Sequence, residues 1–572
     1  MAKIETIRHS LSHIMALAIQ ELFPGTKFGI GPAIENGFYY DFEFKNPISN
    51  EDLPKIEKKM KEILKENIAF RKKIVSKEEA KKIFKDQPYK IELIKELPGK
   101  NVSTYASGEF IDLCKGPHIK STEEANPDAF RLTKIAGAYW RGSEKNSMLT
   151  RIYGVAFDTK KELEDYLFKE AEAEKRDHRV LGQKLELFLF DEEVGSGLPI
   201  WQPKGAILSK VIQNYLYEEL ISQGYQWVVS PHIGNLNLWK TSGHWELYRE
   251  NMYSPIKIDE EEYIIKPMNC PFHLKIYKSK IRSYKDLPIK YAELGTVYRY
   301  ERSGVLHGLI RVRGFTQDDA HIWCTPEQLS EELTKLLKHG LKILKTFGFK
   351  DFNIYLSTRP EKYAGTEKEW EKATNALIYV LKKLKLKYQV DPGAGVFYGP
   401  KIDIKVKDSL GREWQCTTIQ VDFNLPERFD LNYVDKNGRK KRTIMLHRAL
   451  IGSVERFVGV LLENYAGALP LWLSPEQIWI IPVGSRHEKY AKEVNEKINA
   501  AGARGILKDE NETVSKKIRE GEIQKIPYML VVGDKEMKEK SVRVRQRGKG
   551  DIGIIKLTKF LEKIKLEIGN KK

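Results

Sequence analysis

The octapeptide KPMNCPFH at residues 266–273 places Cys270, one of only four cysteines in the chain, between an asparagine and a proline, with His273 close behind. A cysteine so placed can be a small buried apolar residue, a nucleophile or a metal ligand, and the segment alone leaves all three open. A second segment, GFTQDDAHIWC at residues 314–324, has a clearer pattern. Side chains alternate along an extended chain, so Gln317, Asp319 and His321 share one face and form the polar floor of a pocket. Just upstream, YRYERSGVLHGLIRVRGF reads as two strands joined by a glycine-bearing loop. Arg299 and Glu301 fall on one face of the first strand, and Arg311 and Phe315 on the second. Each of these alone is ordinary surface or core content. Together, two guanidinium forks, a carboxylate and a ring suit a bound nucleotide.

The N-terminus carries another cluster. RHSLSHIM sets His9 and His13 one helical turn apart, and DLCKGPHI adds Cys114 and His118. Spacing alone fits a tetrahedral zinc site. It is not the HExxH of a metalloprotease, because Ser10 stands where the glutamate would be.

The elements that must position these residues follow from patterning. With 572 residues the chain has room for three or four domains. Its cysteines, at 114, 270, 324 and 416, are too scattered for a disulfide framework, and no leader-like N-terminus or bilayer-length apolar run is present. These features point to a cytoplasmic protein with no membrane association. The net charge of +18 makes nucleic acid the first partner to test, against the plainer reading of a lysine-rich solvated surface. Residues 1–160 read as a small α+β domain containing a basic helical stretch, KIEKKMKEILKENIAFRKKIVSKEEAKKIFK. Residues 161–180, within the charged run TKKELEDYLFKEAEAEKRDHRVLGQKLELF, read as a linker helix with little apolar surface. Residues 181–472 combine amphipathic helices such as KGAILSKVIQNYLYEELISQG with alternating strands such as KIDIKVKD and EWQCTTIQVDF, the pattern of an antiparallel sheet with helices. Residues 473–572 read as a small α/β domain, and from Leu471 onward 23 Lys and Arg stand against 15 Asp and Glu.

At this point a family resemblance is plain. SPHI with Pro231, YRYERSGVLHGLIRVRGFTQDDAH and IGSVERF resemble the three signature motifs of class II aminoacyl-tRNA synthetases. TSGHW, KPMNCPFH and FYGPKIDIKVKDSLGREWQCTTIQVDF are similar to the threonyl-tRNA synthetase family in particular. The resemblance covers nearly the whole chain. It implies an α+β multidomain protein: an N-terminal editing domain, a class II antiparallel-sheet core and a C-terminal anticodon-binding domain. The ubiquitin-like domain that usually precedes the editing domain is expected to be lacking.

The resemblance also implies roles. Cys270, His321 and His447 are expected to hold one zinc, leaving a position open for the amino group and hydroxyl of threonine. Arg299 is expected at the α-phosphate of ATP, Glu301 at the adenine amino group and Phe315 against the base. Arg311 and Arg456 are expected at the outer phosphates, with Mg²⁺ alongside. Asp319, Tyr398 and Gln420 are expected to hold threonine, with Gln415 on the nucleotide side. Strict alternation puts Gln415 and Gln420 on opposite faces, so either a bulge separates them or one assignment fails. His244 matches a histidine implicated in proton removal from the terminal ribose of threonine tRNA. In the N-terminal domain His9, His13, Cys114 and His118, with Asp112, Tyr40 and Lys90, match a site that hydrolyses seryl-tRNA without a metal.

Three other readings compete. A class II synthetase for another amino acid is disfavoured by both Cys/His clusters. A non-catalytic RNA binder would not keep Arg299, Glu301, Phe315 and Arg456. A zinc hydrolase centred on His9 and His13 leaves most of the chain without a role. The first motif of this class normally forms a dimer interface, so a homodimer is expected.

Overall fold

In the computed structural model, which describes residues 3–408 and 410–571, the chain divides into two compact units, Met1–Glu172 and Ala173–Lys572. In the first, the helix Ile4–Leu22 buries Leu11, Ile14, Met15, Leu17 and Ala18 in a core shared with Phe38, Tyr40 and Phe42 of the strand Gly37–Glu43. That strand pairs antiparallel with Met148–Ala156, which pairs in turn with Phe130–Tyr139. A separate three-stranded sheet joins Phe70–Ser76, Asn101–Ser107 and Phe110–Leu113.

The basic stretch expected to be helical therefore contains a strand. Leu53–Lys65 and Lys77–Ile83 are helices, but Phe70–Ser76 between them pairs along its whole length with Asn101–Ser107. Pairing with a distant segment overrides the helical composition. The linker reading is corrected too. Two helices, Lys160–Arg176 and His178–Lys184, replace one, and the break falls at Asp177, whose side chain accepts from the Arg179 N–H. The second helix is no solvated spacer, since His178 on it is fully buried.

The second unit is built on an eight-stranded sheet. Its order is Gln226–Trp227, Ile289–Tyr298, Gly314–Cys324, Ile444–Ser453, Glu413–Asp422, Lys401–Lys407, Phe352–Ser357 and Gln389–Asp391. All its pairings are antiparallel except the outermost at each edge. Ala320, Ile322, Ile404, Ile419, Leu446 and Leu450 pack with the helices Pro203–Ser222, Leu329–Thr346 and Val454–Tyr465 in one apolar core. Burying each isoleucine or leucine among them contributes roughly 1.5–3 kcal/mol. Alternation then sends Asp319, His321 and His447 away from that core. A second, five-stranded sheet follows, three strands parallel and two antiparallel, with the helices Glu488–Ala500 and Leu557–Gly569 on it. Among the described residues no helix is long and apolar enough to cross a membrane.

Candidate active site

A cavity of about 350 Å³ opens on the polar face of the large sheet, and its lining includes Arg299, Glu301, Arg311, Phe315, Asp319, Tyr398, Gln415, Gln420 and Arg456. Cys270 and His447 line it as well. The expectation that Arg299, Glu301 and Arg311 lie on strands is corrected. The first strand ends at Tyr298 and the second begins at Gly314, so all three ride on the connecting loop. There Arg311 Nε donates to Glu301 Oε2 at 3.0 Å, and the Arg299 guanidinium lies 5.1 Å from the Phe315 ring centroid. Arg456 Nε donates to the Ile310 carbonyl at 3.0 Å, and burial lowers the pKa of its guanidinium.

The required bulge is present. Ile404 pairs with Thr417 and Lys405 with Gln415, so Cys416 is the extra residue. One added residue reverses the alternation, and Gln415 and Gln420 consequently reach the same cavity. A wider irregularity lies next door. Gln317 pairs with Ser453 and Asp319 with Ala449, leaving Leu450, Ile451 and Gly452 opposite Asp318. The Asp318 carboxylate fills that gap by accepting from all three backbone N–H groups, and Arg448 Nη1 donates to it at 3.2 Å. Burial raises the Asp318 pKa to about 7 in spite of these donors.

Behind the cavity the donor atoms of Cys270, His321 and His447 all lie within 4.8 Å of one another. Cys270 opens the helix Cys270–Lys278, with Pro271 in its first turn where the missing N–H costs nothing. His321 and His447 are directly paired across neighbouring strands. The far nitrogen of each imidazole is anchored. His447 Nε2 meets Asp422 Oδ2 at 2.8 Å, and His321 Nδ1 meets His273 Nδ1 at 2.8 Å, whose Nε2 meets Glu293 Oε2 at 2.9 Å. With His273 donating to Glu293, its Nδ1 accepts from His321 Nδ1–H, which leaves a lone pair on His321 Nε2. That atom is buried and has no hydrogen-bond partner among the described residues. Asp319 Oδ1 stands 3.6 Å away, beyond bonding distance. Burial lowers the His321 pKa and raises that of the Cys270 thiol, so a thiolate here needs a cation beside it. These donors fit a zinc ion. His273, Glu293 and Asp422 received no role from sequence reasoning, since each is a single polar residue whose partner lies far along the chain. Lys401, which lines the cavity and pairs with Asp403 at 2.7 Å, could have been found from the alternation in KIDIKVKD.

His244 is not part of the cavity lining. It is fully buried, with Nδ1 2.7 Å from Ser242 Oγ and Nε2 3.0 Å from Met268 Sδ. Burial lowers its pKa to about 3.

In the N-terminal unit all seven expected residues converge. Cys114 Sγ lies 3.4 Å from His9 Nε2 and 3.3 Å from His118 Nε2. His9 Nδ1 meets the Pro117 carbonyl and His118 Nδ1 meets Ser10 Oγ, both at 3.1 Å. His13 Nε2 is 3.5 Å from Asp112 Oδ2, to which Tyr40 donates at 2.6 Å. Lys90, buried on the helix Pro88–Glu96, contacts Asp112 Oδ1 and donates to Tyr40 Oη at 3.0 Å. Burial depresses His118 to about 2, lowers His9 and His13, and pushes the Cys114 thiol up to about 11. The donor atoms of the quartet also lie within 4.8 Å of one another.

Known proteins place this geometry. Residues 253–465 match the "tRNA synthetase class II core domain (G, H, P, S and T)", residues 477–567 the "Anticodon binding domain", and residues 102–153 the "Threonyl and Alanyl tRNA synthetase second additional domain". The sheet and the cavity on it thus define a class II aminoacyl-tRNA synthetase. A threonine–tRNA ligase of Sulfurihydrogenibium sp. (strain YO3AOP1) is 54% identical over 575 residues, covering 99% of this chain and 89% of its own. That of Aquifex aeolicus (strain VF5) is 54% identical, covering 99% and 90%. The solved RNA binding domain of threonyl-tRNA synthetase from Cryptosporidium parvum Iowa II is 42% identical with a TM-score of 0.66, covering 68% of this chain and 98% of that one. The chain belongs to the threonine–tRNA ligase family.

Proposed function

We propose that this chain uses ATP to join threonine to threonine tRNA through a threonyl-adenylate, and that it hydrolyses seryl-tRNA formed in error. The observation that carries the reading is a single cavity lined both by the arginines and ring suited to ATP and by Cys270 and His447 of the metal-ligand cluster. A carboxylate oxygen of threonine attacks the α-phosphorus, the bond to the β-phosphate oxygen breaks, and pyrophosphate leaves. Arg299 offsets the charge that grows at that phosphorus. Arg311 and Arg456 hold the outer phosphates together with Mg²⁺, which requires Arg311 to leave Glu301 and frees that carboxylate for the adenine amino group. Phe315 supports the base, with Gln415 on the nucleotide side. Asp319, Tyr398 and Gln420 hold the amino acid. Cys270, His321 and His447 would hold zinc, which would supply Lewis-acid recognition of a hydroxyl that valine lacks. His244 is the acceptor for the ribose proton. Its lowered pKa keeps it neutral, and Phe397 and Tyr398 pack on its ring.

Serine keeps the hydroxyl and lacks one methyl, a difference worth only about 1–3 kcal/mol, so hydrolysis must follow synthesis. His9, His13, Cys114 and His118 surround the ester, with Asp112, Lys90 and Tyr40 orienting water. A second reading, that this quartet is itself a metal centre, is favoured by its converging donors. Treating the full chain with a chelator and supplying preformed seryl-tRNA separates the two, because only a metal-dependent site stops working. The chain is read as a cytoplasmic homodimer joined near Pro231, where Val229 and Ile233 are exposed. ATP–pyrophosphate exchange tests the whole reading: threonine and serine should support it and valine should not. Equal exchange with valine would remove the role given to zinc.

A further inference from the structure

The loop from Arg299 to Arg313 carries Glu301 and Arg311; residues 302–305 on it are exposed, while Leu309 and Val312 are buried, Leu309 in the main core. A buried polar contact adds to that hold. The Leu309 N–H donates at 3.0 Å to His178 Nε2, and the His178 ring is fully buried. Its other nitrogen, Nδ1, lies 2.7 Å from Glu463 Oε1 on the helix Val454–Tyr465, the helix that bears Arg456. Glu463 Oε1 also accepts from the His178 backbone N–H at 3.2 Å, and Oε2 accepts from Arg412 Nη2 at 2.7 Å. The two contacts assign the tautomer: Nε2 accepts, so the proton sits on Nδ1 and is donated to Glu463. Asp177, His178 and Glu463 could be taken for a metal-ligand group, but both ring nitrogens are already engaged.

The backbone is shaped for this ring. Gly308 has φ +46°, and a Cβ there would lie 2.1 Å from His178 Nε2. A Cβ on Gly459 would touch the ring's other side at 3.4 Å. One residue beyond Leu309, the Ile310 carbonyl receives Arg456 Nε. Ring, loop and helix thus meet at the two arginines given to the outer phosphates of ATP.

We propose that His178 is a positioning residue for ATP: the Glu463–His178–Leu309 chain clamps the 299–313 loop to the Val454–Tyr465 helix and so sets the spacing of Arg311 and Arg456. The inference rests on the proposed phosphate role of those arginines. His178→Phe keeps a ring of similar size and removes both hydrogen bonds, leaving the Leu309 N–H buried without an acceptor. The Michaelis constant for ATP in threonine-dependent pyrophosphate exchange should rise about tenfold or more, while that for threonine and the bound zinc stay unchanged. His178→Gln, which can still accept, should recover part of the loss. Trypsin should cut after the exposed Arg302 faster in the Phe variant than in the parent, because the loop is released. Should the Phe variant fail to accumulate folded, Glu463→Leu removes the acceptor for His178 Nδ1–H and reads the same quantity with the ring left in place. An unchanged ATP constant, or ATP and threonine constants that move together, would overturn the clamp. Arg456→Ala is the control: if it too leaves ATP binding unmoved, the phosphate reading has failed rather than the clamp.

Discussion

The two Cys/His clusters draw on the same ligand types and are held in different ways. At Cys270, His321 and His447, the far side of each imidazole leads to a carboxylate, Asp422 directly and Glu293 through His273. Carboxylates behind the imidazoles raise their basicity and favour a cation in front. At His9, His13, Cys114 and His118, two far nitrogens meet neutral oxygens, and the sulfur is already within hydrogen-bonding range of two imidazoles and the Gly116 N–H. The carboxylate that reaches His13 is engaged by Lys90 and Tyr40. Ligand types alone do not separate a metal centre from a hydrogen-bonded pocket. What stands behind them does.

The contrast is broken or sharpened most severely at Cys270. Cys270→Ala should remove the single zinc expected per chain and abolish threonine-dependent exchange, as read by metal analysis and pyrophosphate release; full retention of both ends the assignment. Next in size, His9→Ala with His13→Ala should slow hydrolysis of preformed seryl-tRNA by about 100-fold or more while leaving zinc content and exchange near normal. Loss of a second metal from this variant would erase the contrast. His273→Ala and Glu293→Ala should each weaken zinc about 10- to 100-fold in a chelator competition, because the orienting chain behind His321 is cut.

The smallest effect concerns pH. Burial lowers all three histidines, His118 to about 2 and His13 well below 6.5, and a thiol pushed up to about 11 stays neutral above 9, so seryl-tRNA hydrolysis should show no inflection at either ordinary value. The signs for stability follow. Below pH 6.5 the unfolded chain binds protons that the folded histidines refuse, so the N-terminal unit weakens toward acid. Above pH 9 the unfolded thiol ionises and the folded one does not, so it weakens toward alkali. Denaturation midpoints across this range check both slopes.

The antiparallel sheet and its helices in the second unit were legible because period-two and period-3.6 patterns are written into single segments such as KIDIKVKD and KGAILSKVIQNYLYEELISQG, whereas the order of the strands was not. The Cys416 bulge was legible by counting, since two glutamines of opposite phase had to share one cavity. The loop carrying Arg311 was misread as strand because LIRVRGF alternates as a strand does, although the pairing partner that would complete it is supplied only from Gly314 onward. Residues 70–76 were misread as helix for the converse reason: their strand exists only through residues 101–107. The partners behind the ligands were illegible, because His273 with Glu293 and His178 with Glu463 become neighbours only once the sheet and its helices assemble.

The extra residue at Cys416 has one more consequence. The strand Glu413–Asp422 acts as two short rulers offset by one tooth, one presenting Gln415 and the other Gln420 to the same cavity. A side chain exchanged on the Gln420 half can reshape the amino-acid end while the Gln415 half keeps its own phase, whereas deleting Cys416 alone would turn Gln415 to the opposite face of the sheet. Chain length, rather than side-chain chemistry, is what brings both glutamines to one cavity.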